Sequence, residues 1–341
     1  MKNLIDKATI NHNLSYDEIL NLIKDNSQNN YLFKKADEVR KKYVGDSVHL
    51  RGLIEFTNIC KNNCQYCGLQ RDNQNIERYA LSEEDIYQCA KNAVKIGYKT
   101  VVLQGGETET YDIEKLCKII KKIKLLNLAI TLSIGEKNEQ EYRQLKDAGV
   151  DRYLLRIETT SPSLYRKLHP DMSFTKRQAC IRFIKQCGME TGTGNLIGLP
   201  EQTDESLVED ILFFKETDAD MIGLGPFIPN PDTPLKNELG GTFEKTLKIM
   251  AIVRLLMPDI NIPATTAMEA LNPNGRIIAL QSGANVIMPN VTDEYIRNKY
   301  LLYPNKPGLQ GTIEQVKKDA EEKIKSIGRT VSETKGFRIK S

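Results

Sequence analysis

The 341-residue chain predicts an α/β fold: a complete (β/α)8 barrel with N-terminal helices and a C-terminal helical extension. Three observations lead there. After residue 45, short β-rich runs alternate with amphipathic stretches, the pattern of a parallel sheet with helical crossovers. Eight such runs occur, and eight parallel strands close a barrel. The length exceeds the roughly 250 residues of a typical barrel, leaving chain for extensions at both ends.

The N-terminal extension, residues 1–45, reads as helical. Ser15 and Glu18 form a capping box ahead of Ile19, Leu20, Leu22 and Ile23, and a second helix from about Asn30 to Val44 stops at Gly45. The barrel, residues 46–290, has expected strands at His49–Phe56, Thr100–Gln104, Ala129–Ser133, Arg152–Ile157, Glu190–Leu196, Met221–Leu224, Asn261–Thr266 and Asn285–Met288. Between them the 3.6-residue period predicts helices over Glu83–Ile96, Asp112–Leu126, Glu139–Ala148, Thr175–Cys187, Asp204–Thr217 and Phe243–Met257. Residues 291–341 form the C-terminal extension, and the mixed-charge stretch Lys317 to Lys340 reads as a solvated helix and tail.

A hydrophobic fraction of 40% is ample for one large core. With 48 basic against 45 acidic residues, the net charge of +3 gives no argument for nucleic acid or membrane as a partner. No apolar run approaches the roughly 20 residues of a membrane span. The N-terminus, Met1-Lys-Asn-Leu-Ile-Asp6, lacks the apolar core of a signal peptide. A reducing, cytoplasmic location is expected, which also suits the thiols.

Chemistry concentrates where a barrel keeps it, at the C-terminal ends of the strands. Directly after the first strand, Cys60, Cys64 and Cys67 are spaced C-x3-C-x2-C, with no fourth cysteine nearby. A four-iron cluster normally takes one thiolate per iron, so three leave one iron open to a small molecule. Structural zinc would want four protein ligands, usually as two pairs, and His49 upstream is a poor fourth. A disulfide framework would want an even count in a short secreted chain, and there are seven cysteines here. Cys89, Cys117, Cys180 and Cys187 fall on expected helices and read as small buried hydrophobes.

Gly105-Gly106-Glu107 ends the second strand: the glycines permit close backbone approach, and Glu107 can hold an ammonium group. Glu158 follows Arg156 at the end of the fourth and suits ribose hydroxyls or an ammonium. Arg177, in the next helix, offers a planar fork for a carboxylate, a surface salt bridge being the alternative. Gly192 to Glu201, containing Leu196, Ile197 and Leu199, can form a flat apolar wall, with Tyr66 flanking it. Thr131 and Ser133, Thr265 and Thr266, and an inward-pointing Arg51 make a polar interior, expensive unless filled.

These motifs resemble those of the radical S-adenosylmethionine (SAM) superfamily, whose members are TIM-type barrels. Within it, Glu55-Phe-Thr-Asn-Ile-Cys60, Tyr153-Leu-Leu-Arg-Ile-Glu-Thr159, Gly225-Pro-Phe-Ile-Pro229, Pro263-Ala-Thr-Thr-Ala-Met268 and Ala284-Asn-Val-Ile-Met-Pro-Asn290 are similar to the HydE family of [FeFe]-hydrogenase maturases. Biotin synthase and methylornithine synthase are relatives of that family. The resemblance implies one [4Fe–4S] cluster on Cys60, Cys64 and Cys67. It implies SAM held by Tyr66, Gly105, Gly106, Glu107, Glu158, Arg177 and Leu199, and a substrate cavity lined by Arg51, Thr131, Ser133, Thr265, Thr266 and Met288.

The implied function is assembly of the H-cluster's di-iron subsite from a small iron-containing substrate, an iron–cysteine synthon with carbon monoxide and cyanide. The implied partners are a HydG-like maturase, a hydrogenase scaffold maturase and an electron donor such as ferredoxin or flavodoxin. Two departures matter. No cysteine follows Cys187, so the second cluster of some family members is not expected, and Ile157 stands where some relatives have histidine. A methylornithine-forming radical mutase and a non-catalytic iron–sulfur carrier are the alternatives.

Overall fold

The computed structural model describes residues 1–340. Nine strands follow one another as β1 Ser47–Leu50, β2 Gly52–Thr57, β3 Thr100–Gly105, β4 Ala129–Ser133, β5 Arg152–Leu154, β6 Glu190–Ile197, β7 Met221–Pro226, β8 Val286–Ile287 and β9 Thr330–Val331. Strands β2 to β7 form a parallel sheet in sequence order, and β1 lies between β8 and β9. Hydrogen bonds close the ring. Ile222 N donates to Asn261 O at 3.0 Å, Asn285 N to Ile262 O at 3.0 Å, Arg51 N to Ile287 O at 3.0 Å and Leu53 N to Pro289 O at 2.8 Å. The result is the expected eight-stave barrel.

The helices are α1 Lys2–Asn11, α2 Tyr16–Lys24, α3 Asn29–Val44, α4 Glu83–Lys95, α5 Ile113–Lys124, α6 Glu139–Ala148, α7 Pro162–Leu168, α8 Phe174–Gln186, α9 Asp204–Glu216, α10 Phe243–Leu256, α11 Thr266–Leu271, α12 Gly275–Leu280, α13 Glu294–Arg297 and α14 Ile313–Ser326. Their starts are legible: Ser15, Ser82, Asn138 and Thr203 each complete a capping box. Helix α10 is buried along nearly its whole length because α3 covers its outer face. One apolar core runs continuously from Ile5 in α1 to Ile324 in α14. Among the described residues, no helix is long and apolar enough to cross a membrane.

Three expectations need correction. The seventh stave is no ladder: only Asn261 and Pro263 make bridges, because Pro263 has no N–H to donate and Thr266 already begins α11. The fourth expected strand stops at Leu154 rather than Ile157, and the chain reaches Glu158 in a left-handed conformation, φ +65°. The C-terminal tail is not a solvated appendage. It runs under the barrel floor, where Lys335 O accepts from Thr100 Oγ1 at 2.9 Å and from Arg152 Nη2 at 2.7 Å. Arg338 then joins Asp218, Asp220 and Asp259. These pairings connect segments remote in sequence, which local pattern does not report.

Candidate active site

The cysteine loop leaves β2 and is shaped by two side chains. Asn58, fully buried, donates from Nδ2 to Glu77 O at 2.8 Å and to Lys299 O at 2.7 Å, while its Oδ1 accepts from Tyr79 N. Arg78 gathers the loop's carbonyls, donating to Asn58 O, Leu69 O, Gln70 O and Asn73 O. So bound, Cys60, Cys64 and Cys67 lie half-buried on one short loop at the barrel mouth. Burial pushes all three thiols up, Cys67 to about 12, and for Cys64 and Cys67 the neighbouring thiols add to it. Thiolates there need a compensating positive charge, which a metal centre provides. Among the described residues, no three such side chains converge closely enough for a single ion. A cubane binds its thiolates at separate corners and so holds them farther apart.

Gly105 and Gly106 leave no room for a side chain. A Cβ on Gly106 would stand 2.3 Å from Ile59 O and 2.8 Å from the Cys60 Cβ, and one on Gly105 would stand 2.8 Å from Thr57 Cγ2. They let the cysteine loop close down on the end of β3. Glu107 completes this seat: its Oε2 accepts from Asn62 Nδ2 at 3.1 Å and from Glu136 N at 2.9 Å. Its Oε1 lies 3.4 Å from the ammonium of Lys61. Glu107 thus joins the cysteine loop to the segment after β4.

Across the mouth, Glu158 and Arg177 are both buried. Glu158 Oε2 lies 3.0 Å from Arg156 Nη2 yet has no hydrogen bond of good geometry. Burial raises its carboxyl above the ordinary range, and Arg156 and Arg177 oppose that rise. Arg177 donates from Nε to Glu136 Oε1 at 2.8 Å and from Nη1 to Arg156 O at 2.6 Å, leaving Nη2 against the Met172 sulfur at 3.6 Å. Burial alone would lower the Arg177 pKa; Tyr165 and Glu136 hold it up.

Of the expected apolar wall, Leu199 joins a small separate cluster with Leu164, Leu168 and Phe227, with Tyr66, Leu196 and Leu235 against it, whereas Ile197 turns into the main core. Tyr66 Oη meets His169 Nε2 at 3.0 Å. Burial pushes His169 down to about 3, so the imidazole is neutral.

Inside the barrel, the hydroxyls of Thr131 and Thr265 are buried without a partner. Thr266 Oγ1 accepts from Arg276 Nη2 at 3.0 Å. Ser133 ends β4 beside Gln104, and Met288 follows β8, half-buried. Arg51 does not join this group: its guanidinium reaches Met221 Sδ at 3.1 Å and Gly336 O at 3.0 Å, both at the floor. Orphaned polar atoms on Glu158, Thr131 and Thr265 mark an interior that fits a polar ligand. Sequence reading missed Glu136, Asn62, Arg78, Arg276 and His169. None carries a local signal: Arg71 lies nearer the third cysteine than Arg78 does, and the partners of the others are remote in sequence.

Comparison with known proteins agrees with this geometry. Residues 54–214 match the Radical SAM superfamily, and residues 225–320 match the Biotin and Thiamin Synthesis associated domain. The [FeFe] hydrogenase maturase subunit HydE of Thermotoga maritima is 54% identical over 83% of this chain and 82% of its own. The 3-methylornithine synthase of Methanosarcina acetivorans is 29% identical over 90% and 83%. The crystal structure of methylornithine synthase (PylB) superposes with a TM-score of 0.83 at 26% identity, covering 96% of this chain and 97% of that one. Radical SAM membership implies a [4Fe–4S] cluster and SAM. The chain is a radical SAM enzyme and belongs to the HydE family of [FeFe]-hydrogenase maturases.

Proposed function

We propose that this enzyme cleaves SAM reductively to initiate radical chemistry in assembly of the di-iron subsite of the [FeFe]-hydrogenase H-cluster. The carrying observation is the placement of three thiols on one loop, facing the buried Glu158 and Arg177 with half-buried Arg156, and a Tyr66–Leu199 apolar wall, across one barrel mouth. Cys60, Cys64 and Cys67 would hold a single [4Fe–4S] cluster, which supplies an open iron and the electron for SAM cleavage. No cysteine follows Cys187 to hold a second.

The chain's own residues then bind and orient. Arg177 Nη2, whose partner in the structure is the Met172 sulfur at 3.6 Å, donates to the SAM carboxylate, while Glu136 fixes the angle of the fork. Glu158, whose Oε2 lacks a hydrogen bond, takes a ligand hydroxyl or ammonium. Tyr66, Leu196 and Leu199 face the adenine and exclude water. Gly105, Gly106 and Glu107 support the cysteine loop from below. Thr131, Ser133, Thr265, Thr266 and Met288 line the substrate chamber, where enclosure shields a reactive radical from water and side reactions. The substrate would be a small iron complex bearing cysteine, carbon monoxide and cyanide. Delivery by a HydG-like maturase, release to a hydrogenase scaffold maturase and reduction by ferredoxin or flavodoxin complete the reading, in a reducing cytoplasm.

Electron paramagnetic resonance (EPR) of the anaerobically reconstituted, dithionite-reduced protein tests the first half. A four-iron signal that shifts on adding SAM is expected; one indifferent to SAM would indicate a carrier instead. The second half is tested by in vitro maturation of an apo-hydrogenase with the partner maturases, which should fail without this protein. Productive turnover on lysine would instead assign a methylornithine-type mutase.

A further inference from the structure

Residues 298–312, between α13 and α14, form a loop whose two ends are drawn together by one side chain. Arg297, fully buried, donates from Nη1 to Gly308 O at 2.8 Å and to Gln310 O at 3.4 Å, and from Nη2 to Gly311 O. Such a surface loop with its ends drawn together is compact and frequently functional.

This loop sits on the cysteine loop. Leu302 O accepts from Gly68 N at 3.0 Å and from Asn230 Nδ2 at 3.1 Å, and Lys299 O accepts from Asn58 Nδ2. A Cβ on Gly68 would lie 2.2 Å from Leu301 O, so the residue after Cys67 must be glycine for the loop to seat. The loop also sends side chains inward. Tyr300 Oη accepts from Gln104 Nε2 at 3.3 Å, and the charges of Arg276, Glu55 and Arg156 all act on the Tyr303 phenol.

The deepest contact is ionic. Lys306 Nζ meets Glu55 Oε1 at 2.5 Å, with Glu55 only 1% and Lys306 7% exposed in their side chains. Asn290 Nδ2 donates to the other oxygen of Glu55 at 2.7 Å, and Lys306 donates to Tyr300 O at 3.0 Å. A buried ion pair is a poor device for raw stability, since desolvation offsets its attraction. It is a good device for a joint that must open. Apolar side chains resist exposure to water, whereas Glu55 and Lys306 regain hydration when separated.

We propose that Glu55 and Lys306 are positioning residues for the radical reaction, an inner latch that registers residues 298–312 as a lid over the cysteine loop. The latch closes the chamber above bound SAM and substrate and releases to let ligands pass. This inference rests on the assignment of a radical SAM enzyme, and its test separates the two.

Hydrogen exchange by mass spectrometry is measured on the reconstituted protein with SAM, for the unaltered chain, Glu55→Gln, Lys306→Met and the double variant. Each single change leaves one buried group unpaired, and exchange within 298–312 should rise at least tenfold while peptides of β6 and α10 stay unchanged. The double variant, with no unpaired charge, should recover most of the protection. In deuterated solvent with dithionite, SAM and dithiothreitol, the single variants should release 5′-deoxyadenosine carrying more deuterium, because a small thiol entering the opened chamber gives its S–D deuterium to the 5′-deoxyadenosyl radical and leaves as a thiyl radical. Unchanged lid exchange would overturn the proposal. So would exchange rising throughout the barrel, which would make the pair a general staple. Failure of the radical assignment would show separately, as no 5′-deoxyadenosine from the unaltered protein.

Discussion

Glu136 accepts a hydrogen bond from the Nε of Arg177 at 2.8 Å, with both residues buried, so the fork that faces the cysteine loop is fixed before any ligand arrives. The arginine is therefore held in place as a structural ion pair and left with one nitrogen to use. Preorganisation of this kind lowers the ordering cost of binding.

Breaking that pair should be costly. Arg177→Met leaves Glu136 buried with only the exposed Lys176 ammonium, 3.4 Å away, opposite it. Loss of one partner of a buried pair costs about 3–5 kcal/mol. Urea denaturation of the apo-protein should show a lower midpoint, and Arg177→Lys should fold better yet lose the SAM-induced EPR change.

Gly106→Ala tests the seat of the cysteine loop. Its Cβ would collide with Ile59 O and the Cys60 Cβ. The backbone there is tied to Thr57 O by the Gly106 N–H, so the loop must shift. Iron and sulfide content after reconstitution should fall several-fold, whereas far-ultraviolet circular dichroism should not change. A fully loaded, SAM-responsive Gly106→Ala protein would contradict this account.

Cys64→Ala, like the corresponding change at Cys60 or Cys67, should abolish the SAM-dependent EPR signal and all SAM cleavage. Cys187→Ser should leave both intact, because its thiol sits half-buried at the C-terminal end of α8, with Arg143 and Glu139 as its charged neighbours.

His169 provides a pH dependence of defined sign. Burial lowers its folded pKa to about 3, against about 6.5 in an unfolded chain. Between those values the unfolded state binds the extra proton, so stability falls as pH falls. The slope from this one group is about 1.4 kcal/mol per pH unit in that window. His169→Gln should flatten the acid limb of the stability curve of the apo-protein; an unchanged limb would place the responsible group elsewhere.

Much of this was legible in the sequence, for reasons specific to each residue. The start of α2 is legible from Ser15 and Glu18 because caps are local chemistry. The thiols of Cys60, Cys64 and Cys67 declared themselves by spacing, and a barrel puts the loop after its first strand at the mouth. Gly106 and Glu107 stand out in the sequence as a glycine pair and an acid at a strand end, and in the structure they contact the cysteine loop. Arg51 was placed in the cavity because side chains alternate along a strand, but alternation gives the face and not the depth. Lys306 and Glu55 are 251 residues apart, and nothing local in either segment announces the other. Such pairings of opposite charge become visible only once the chain has closed.

Strand β1 has a consequence for biosynthesis. Its neighbours β8 and β9 lie near the end of the chain, and the floor contacts of Gly336 and Arg338 come later still. A growing polypeptide therefore exposes an open β edge, with an unpaired row of backbone donors and acceptors, until residues 286–331 have emerged. The apolar residues Val48 and Leu50 on that edge are exposed to solvent meanwhile. Truncation near residue 330 would leave the barrel ring closed through Ile287 and Pro289 but remove β9 and the floor contacts, leaving one side of β1 unpaired and open to self-association.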